Sequence, residues 1–267
     1  MKNLLFITAL LCLGTLPSPT EAAYLVSIPL SKSTSSSSLG RGPNQGNNNK
    51  SPPNSAAAPA ASGQASCPDI HIFGARETTT PPGFGTAETL VDLVTKTFPR
   101  TTSEAIIYPA AGGDEYGASV TAGIAAVVNQ TGQFTERCPG SIVIMHGYSQ
   151  GAQIMDDAFC GGPDGSSLNS SVSLVSKTTA TNVAAIILMG NPRHVDGLPF
   201  NVGNATAGGF AARPKNFKCP AFQNIIQAYC DSPDPFCSNG TDTNTHQGYG
   251  KEYGREALLF IISKLIL

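Results

Sequence analysis

One segment constrains this chain more than any other. The apolar run Ser141–Met145 passes without a break into His146-Gly147-Tyr148-Ser149-Gln150-Gly151, and a helix-like stretch follows from Gln150. The pattern G-x-S-x-G is weak by itself, because glycine and serine are common in this chain. A strand before it and a helix after it change its meaning. A strand that turns at once into a helix needs glycines two positions either side of the serine, where any Cβ would collide. The serine Oγ then stands out at the top of a sheet.

The rest of the chain supplies that sheet. Asp69–Phe73, Ala105–Pro109, Val183–Met189 and Asn224–Tyr229 read as further strands, and each is a continuous apolar run, as strands buried on both faces are. Helical periodicity covers Ala87–Phe98, Ser119–Phe134 and Gly250–Leu265. Alternating β and α segments predict a compact α/β fold with a central five-stranded parallel sheet flanked by helices. Ligands of such sheets bind beyond the carboxyl ends of the strands, which is where the serine turn falls.

Not all 267 residues belong to that fold. Residues 1–22 read as a secretory signal: Lys2, a short apolar core from Leu4 to Leu16, then small residues at Ala22-Ala23. That core is too short to cross a bilayer as a helix, which takes about 20 residues, so no membrane anchor is expected. Residues 23–66 are rich in Ser, Asn, Pro and Ala, bury too little to offset the entropy of ordering, and read as a disordered linker. One domain over residues 67–267 remains. A net charge of −2 offers no basic patch, so no nucleic-acid partner is expected. Export fits the cysteines. Cys12 lies in the signal, and the other six, Cys67, Cys138, Cys160, Cys219, Cys230 and Cys237, allow three disulfides. No CxxC pair is present, so neither a zinc site nor any other cofactor is expected. Sequons begin at Asn49, Asn129, Asn169, Asn204 and Asn239.

A nucleophilic serine needs a base, and this fold places its triad in the chain order Ser, acid, His. Of the four histidines, His71 and His146 precede Ser149. His71 falls inside the first strand, and His146 ends the third, beside the turn. Before His194 the only acids after the serine are Asp156, Asp157 and Asp164, in or near the helix that Ser149 opens. His246 follows a loop carrying Asp231, Asp234 and Asp242 and closely precedes the last helix. It is the favoured base, with His194 a loop residue near the mouth of the site.

Cys230 and Cys237 flank two of those acids. A bridge there closes a loop of about eight residues and contributes about 2.5 kcal/mol, against about 4.4 for one closing about 70. Such a bridge serves mainly to shape its loop, which suits an acid that orients imidazole. Asp234, mid-loop before Pro235, ranks first, Asp231 second and Asp242 third. The Gln150 N–H, at the start of the following helix, is placed to donate to an oxyanion. Ser149 would attack an ester carbonyl, His246 would take its proton, and Asp234 would hold the tautomer.

These residues are familiar together. The domain resembles carbohydrate esterase family 5, the cutinases and acetylxylan esterases, and looks most similar to the fungal acetylxylan esterases. The likeness is carried by Cys67-Pro68, Phe73-Gly74-Ala75-Arg76-Glu77-Thr78, Tyr108-Pro109-Ala110, Gly147-Tyr148-Ser149-Gln150-Gly151 and Cys160-Gly161-Gly162. It continues through Met189-Gly190-Asn191-Pro192, Tyr229-Cys230-Asp231, Asp234-Pro235-Phe236-Cys237 and Thr245-His246-Gln247-Gly248-Tyr249-Gly250. The resemblance implies an α/β-hydrolase without a lid domain, Asp234 as the acid, and Thr78 as the second oxyanion donor beside Gln150. It also implies the pairs Cys67–Cys138, Cys160–Cys219 and Cys230–Cys237. Tyr116 and Asn191 would line the groove.

Two substrates stay open. The polar stretch Asn239–Thr245 before His246 suits sugar hydroxyls and an acetyl ester on a polysaccharide. Leu198, Pro199 and Phe200 would supply an apolar lip for a polyester. With no tryptophan in the chain, Tyr116, Tyr249 and Tyr253 would have to meet a sugar ring, or polar contacts alone would serve. A secreted binding protein on the same scaffold is a third reading, and a monomer is expected throughout.

Overall fold

The computed structural model describes residues 66–162 and 173–265. The expected signal, nearly all of the expected linker, Asp164 and the sequons at Asn49 and Asn169 lie outside them.

Six parallel strands form one sheet: β1 (Ile70–Ala75), β2 (Thr101–Ala105), β3 (Ile142–Tyr148), β4 (Val183–Met189), β5 (Asn201–Val202) and β6 (Ile226–Tyr229), in the order β2-β1-β3-β4-β6-β5. The five expected strands are all present, and the two-residue β5 adds an edge. Side chains alternate across the sheet. Phe73, Met145, Ile186 and Leu188 face α2 (Tyr116–Arg137) and α3 (Gln150–Cys160). Ile72, Ile144, Ile187 and Met189 face α1 (Glu88–Thr97) and α5 (Thr243–Leu265). Both faces are covered, so the strands are apolar throughout, as a parallel sheet requires. A one-turn α4 (Lys177–Ala180), capped by the Ser176 hydroxyl, precedes β4.

Two elements differ from the sequence reading by more than three residues at a boundary. The second strand is Thr101–Ala105, not Ala105–Pro109. It is the sheet edge, half solvated, so it takes the polar sequence Thr-Thr-Ser-Glu. The apolar run after it is a loop that buries Ile106 and Tyr108 and leaves Ile107 79% exposed. The closing helix begins at Thr243, not Gly250. Asp242 starts it by accepting from the Asn244 N–H and the Thr245 hydroxyl. The glycines that hid this turn are packing positions, since Gly250 meets Thr89 and Gly254 meets Leu93 of α1.

The three disulfides join Cys67 to Cys138, Cys160 to Cys219 and Cys230 to Cys237. They tie the start of β1 to the end of α2, the end of α3 to the loop before β6, and the loop after β6 to itself.

Going outward from the centre, β1 leads to β2 on one side, and β3 leads to β4 on the other. The crevice beyond the carboxyl ends of β1 and β3 is therefore the topological switch point. The segment 76–80 leaves one strand there, and Ser149 leaves the other.

Two histidines lie in the core. His71 stacks on Phe134 at 3.9 Å and bonds Thr102, and His146 is fully buried with Nδ1 3.1 Å from the Ile187 carbonyl. Burial pushes both down from 6.5 to about 4, helped at His71 by the Arg137 charge. Both stay neutral in the folded chain while the unfolded chain binds protons below 6.5. Stability should therefore fall from pH 6.5 toward 4, by about 1.4 kcal/mol per pH unit for each histidine, and flatten below. Urea unfolding across that range measures it. His71→Gln should remove part of the slope, and an unchanged slope would refute the assignment to His71.

Candidate active site

The close approach of three segments builds the turn at Ser149. A Cβ on Gly147 would strike the Gly151 carbonyl, and one on Gly151 would strike the Ala75 carbonyl. Only glycine permits this contact, and it forces Ser149 to φ 53°, a left-handed conformation that costs on the order of 1–3 kcal/mol in a non-glycine residue. The Ser149 N–H is held by the Met189 carbonyl at 2.8 Å. Gln150 begins α3, so its N–H precedes the first acceptor within the helix and is left for a ligand. The Gln150 side chain points elsewhere: it accepts from Ser119 and donates to the Ala111 carbonyl.

His246 lies in the first turns of α5, with Nδ1 2.7 Å from Asp234 Oδ2. That leaves Nε2 as the basic nitrogen. The Asp234 carboxylate, wholly buried, also accepts at Oδ1 from the Phe236 N–H (2.6 Å) and the Cys237 N–H (3.0 Å). Burial alone would raise this acid. The His246 hydrogen bond and charge and the two backbone donors outweigh burial and hold it below the usual carboxylate range. The Cys230–Cys237 bridge closes the loop that aims those donors.

Ser149 and His246 line one open cleft of about 400 Å³. Part of its lining is polar: Glu77, Thr78, Thr79 and Thr86. Part is aromatic: Tyr116, Phe210 and Phe236. Phe210 is 59% exposed and meets Tyr116 edge-on at 5.4 Å, and Phe236 lies 4.5 Å from the His246 ring. Thr78 reaches the cleft because Arg76 anchors its loop. The buried guanidinium donates to the carbonyls of Thr80 and Tyr108, and the Tyr108 hydroxyl returns a 2.6 Å bond to the Arg76 carbonyl. Burial tends to raise Glu77, but the N–H and hydroxyl of Thr86 bind its two oxygens and bring it below its usual value. It is the one carboxylate among the described residues of the cleft.

The sequence reading thus brings Thr78, Tyr116, Ser149 and His246 to one cleft, with Asp234 behind the histidine. Other expectations fall elsewhere. Asn191 is buried under the site, where it donates to Asp156 and accepts from the Arg193 N–H. His194 is buried against the Ala207 carbonyl and Asn201, and burial, ahead of its hydrogen bonds, lowers it below its ordinary value. The polar stretch 239–245 folds back on the disulfide loop and starts α5, with the Asp242 N–H held by the Pro233 carbonyl. Phe200 belongs to the core, so the apolar lip is Phe210 and Phe236 instead. Tyr249 is buried, and neither it nor Tyr253 lines the cleft. Of the lower-ranked acids, Asp231 accepts from Tyr253 and Asp242 caps the helix.

A buried ionic network was invisible in the sequence. Arg213 binds Asp156 through two nitrogens and also reaches Asp157, and Arg193 lies 3.1 Å from the same Asp157. All four are buried. Two negative and two positive side chains fasten the segment 190–213, which carries Phe210, onto α3, which directly follows Ser149. The sequence placed these acids only in or near the helix that Ser149 opens, and no local pattern tied them to arginines 36 and 57 positions away.

Comparison with known proteins gives the family and the fold. The cutinase family profile matches residues 66–265. Cutinase 11 of Verticillium dahliae is 50% identical over 207 residues, which cover 75% of this chain and 70% of that protein. An acetylxylan esterase of Hypocrea jecorina is 48% identical over 206 residues, covering 74% of this chain and 68% of its own. The solved catalytic core domain of acetyl xylan esterase from Trichoderma reesei superposes with a TM-score of 0.72 at 47% identity, over 74% of this chain and all of that one.

Removing one member of the ionic network should cost far more than a surface charge. Arg213→Ala would leave two buried carboxylates short of a partner, and about 3–5 kcal/mol of stability should be lost. Urea unfolding at neutral pH reads it. A loss below about 1 kcal/mol would mean that water replaces the arginine, as at a surface pair.

Proposed function

This chain belongs to the cutinase family and is a serine ester hydrolase, and we propose that it removes acetyl groups from xylan, outside the cell. The reading rests above all on the make-up of the cleft. A fatty acyl chain asks for a continuous apolar trough. The described residues offer instead a mixed lining, in which Glu77 and three threonines share one cleft with the aromatics Tyr116, Phe210 and Phe236. A pyranose fits both: its hydroxyls find Glu77 and the threonines, and its C–H face finds Phe210 and Tyr116. The names of the relatives do not decide the matter, since one is called a cutinase and another an acetylxylan esterase at nearly equal identity.

The chemistry follows from the residues already placed. Ser149 Oγ attacks the acetyl carbonyl as His246 Nε2 takes its proton. The N–H groups of Thr78 and Gln150 receive the oxyanion. Asp234 holds the imidazole and stabilises its cation. His246 returns the proton to the sugar oxygen, which leaves, and water then attacks the acetyl-enzyme by the same route. Residues 1–22 would direct export, residues 23–66 would be a linker and residues 67–267 the catalytic domain. The three disulfides support an oxidising destination.

A second reading, hydrolysis of longer polyester esters, is favoured by the exposed Phe210 and Phe236. Initial rates on 4-nitrophenyl esters from acetate to palmitate, with acetylated xylan alongside, separate the two. The deacetylase reading expects a steep fall beyond acetate and acetate release from the polymer. A maximum at butyrate or longer with xylan untouched would overturn it. Ser149→Ala should lower kcat by at least about 10⁴-fold and abolish labelling by a fluorophosphonate.

A further inference from the structure

Asp234 Oδ2 has two donors, and the triad accounts for only one. The other is the Tyr249 hydroxyl at 2.9 Å, next to the 2.7 Å contact with His246 Nδ1. The direction of this second bond is fixed. The Asp231 N–H donates to the Tyr249 oxygen at 2.9 Å, which occupies it as an acceptor and turns its proton toward the carboxylate. The nearby Cys237 sulfur, 3.3 Å away, belongs to a disulfide and has no proton to give. Tyr249 is in turn held by its backbone. Its N–H donates to the Tyr148 hydroxyl, which itself donates to the His246 carbonyl at 2.6 Å. The residue before the nucleophile and the residue three after the base thus share one hydrogen-bonded unit.

We propose that Tyr249 is a positioning residue of the triad, whose hydroxyl fixes Asp234 Oδ2 and limits how strongly that carboxylate attracts the imidazolium. The proposal rests on the triad reading given above. With four donors on two oxygens, Asp234 has little freedom to rotate and little basicity to spare, so it orients His246 without competing for its proton. Burial first, together with the Asp234 charge and against the opposing Asp231 N–H, raises the Tyr249 hydroxyl well above the ordinary phenol range, so it remains a donor. The titratable groups around this unit are Asp231 and Asp234 in the disulfide loop, Tyr148 on β3, and His246 and Tyr253 on α5. His194 lies near Asp234 from the segment 190–213, and Glu77 faces Tyr148 from the loop after β1.

The experiment compares pH–rate profiles on 4-nitrophenyl acetate for the wild type, Tyr249→Phe and a protein with 3-fluorotyrosine at position 249. Losing the hydroxyl makes the carboxylate more attractive to the protonated histidine, so the acid limb of kcat/KM should move to higher pH. The fluorinated ring keeps every contact but is a stronger donor, so its acid limb should move to lower pH. In Tyr249→Phe, kcat should fall roughly tenfold with KM unchanged. Opposite displacements of the two limbs support the proposal. Limbs that stay together, or move the same way, overturn it, as does a rise in KM matching the fall in kcat. If Tyr249→Phe does not fold, the limb of the fluorinated protein decides alone. Asp234→Asn is run in parallel. Full activity there sinks the triad reading and this proposal together, whereas an impaired Asp234→Asn beside unmoved limbs sinks this proposal only.

Discussion

The contact between the first turn of α3 and the end of β1 sets the terms for everything around it. Gly151 lies against the Ala75 carbonyl and Gly147 against the Gly151 carbonyl, so strand, turn and helix meet with no side chain between them. At that spacing Ser149 has one backbone conformation open to it, a strained one, which the Met189 carbonyl helps to hold. The chain leaving Ala75 runs directly past the start of α3. Thr78 and Ser149 therefore come to the same cleft as a result of how β1 and α3 pack, with Arg76 as the anchor that keeps the passing loop in place.

The polar groups below this contact contrast with the sheet core. Phe73, Ile144 and Ile187 bury surface that any apolar side chains of similar volume would bury. Asp156, Asp157, Arg193 and Arg213 do not have that latitude, because each charge taken out of water depends on the others for compensation. A network of this kind specifies geometry more than it adds stability. It gives the long segment between β4 and β6 one way to lie on α3, and so gives Phe210 one place at the cleft. The same logic holds at Asp234, whose four donors come from the disulfide loop and from α5.

Patterns of local origin were legible in the sequence, and patterns that depend on distant partners were not. The serine turn could be read because strand, glycines and helix are contiguous. Chain order and the short cysteine spacing pointed to His246 and Asp234, which the fold sets 2.7 Å apart. The second strand was misplaced because an edge strand takes polar residues while the loop after it turns Ile106 and Tyr108 inward. The start of α5 was hidden by glycines that serve its packing on α1. The cleft lining was the least legible part. Asn239–Thr245 lies close to His246 in sequence yet belongs to the helix start, whereas Phe210 comes from 36 positions before His246 and reaches the cleft through buried ion pairs and its N–H bond to the Phe236 carbonyl.

The pairing of α1 with α5 carries a consequence for how such a chain comes into being. These are the first and last long helices of the fold, and together they make one face of the sheet. Ribosomes deliver the serine about a hundred residues before the histidine, and the layer on which that histidine stands is complete only when the final helix arrives. Core and chemistry are thus finished by the same late event, through contacts of long sequence separation that are slow to form. A chain that stopped short of α5 would lack this layer of the core and the proposed base together.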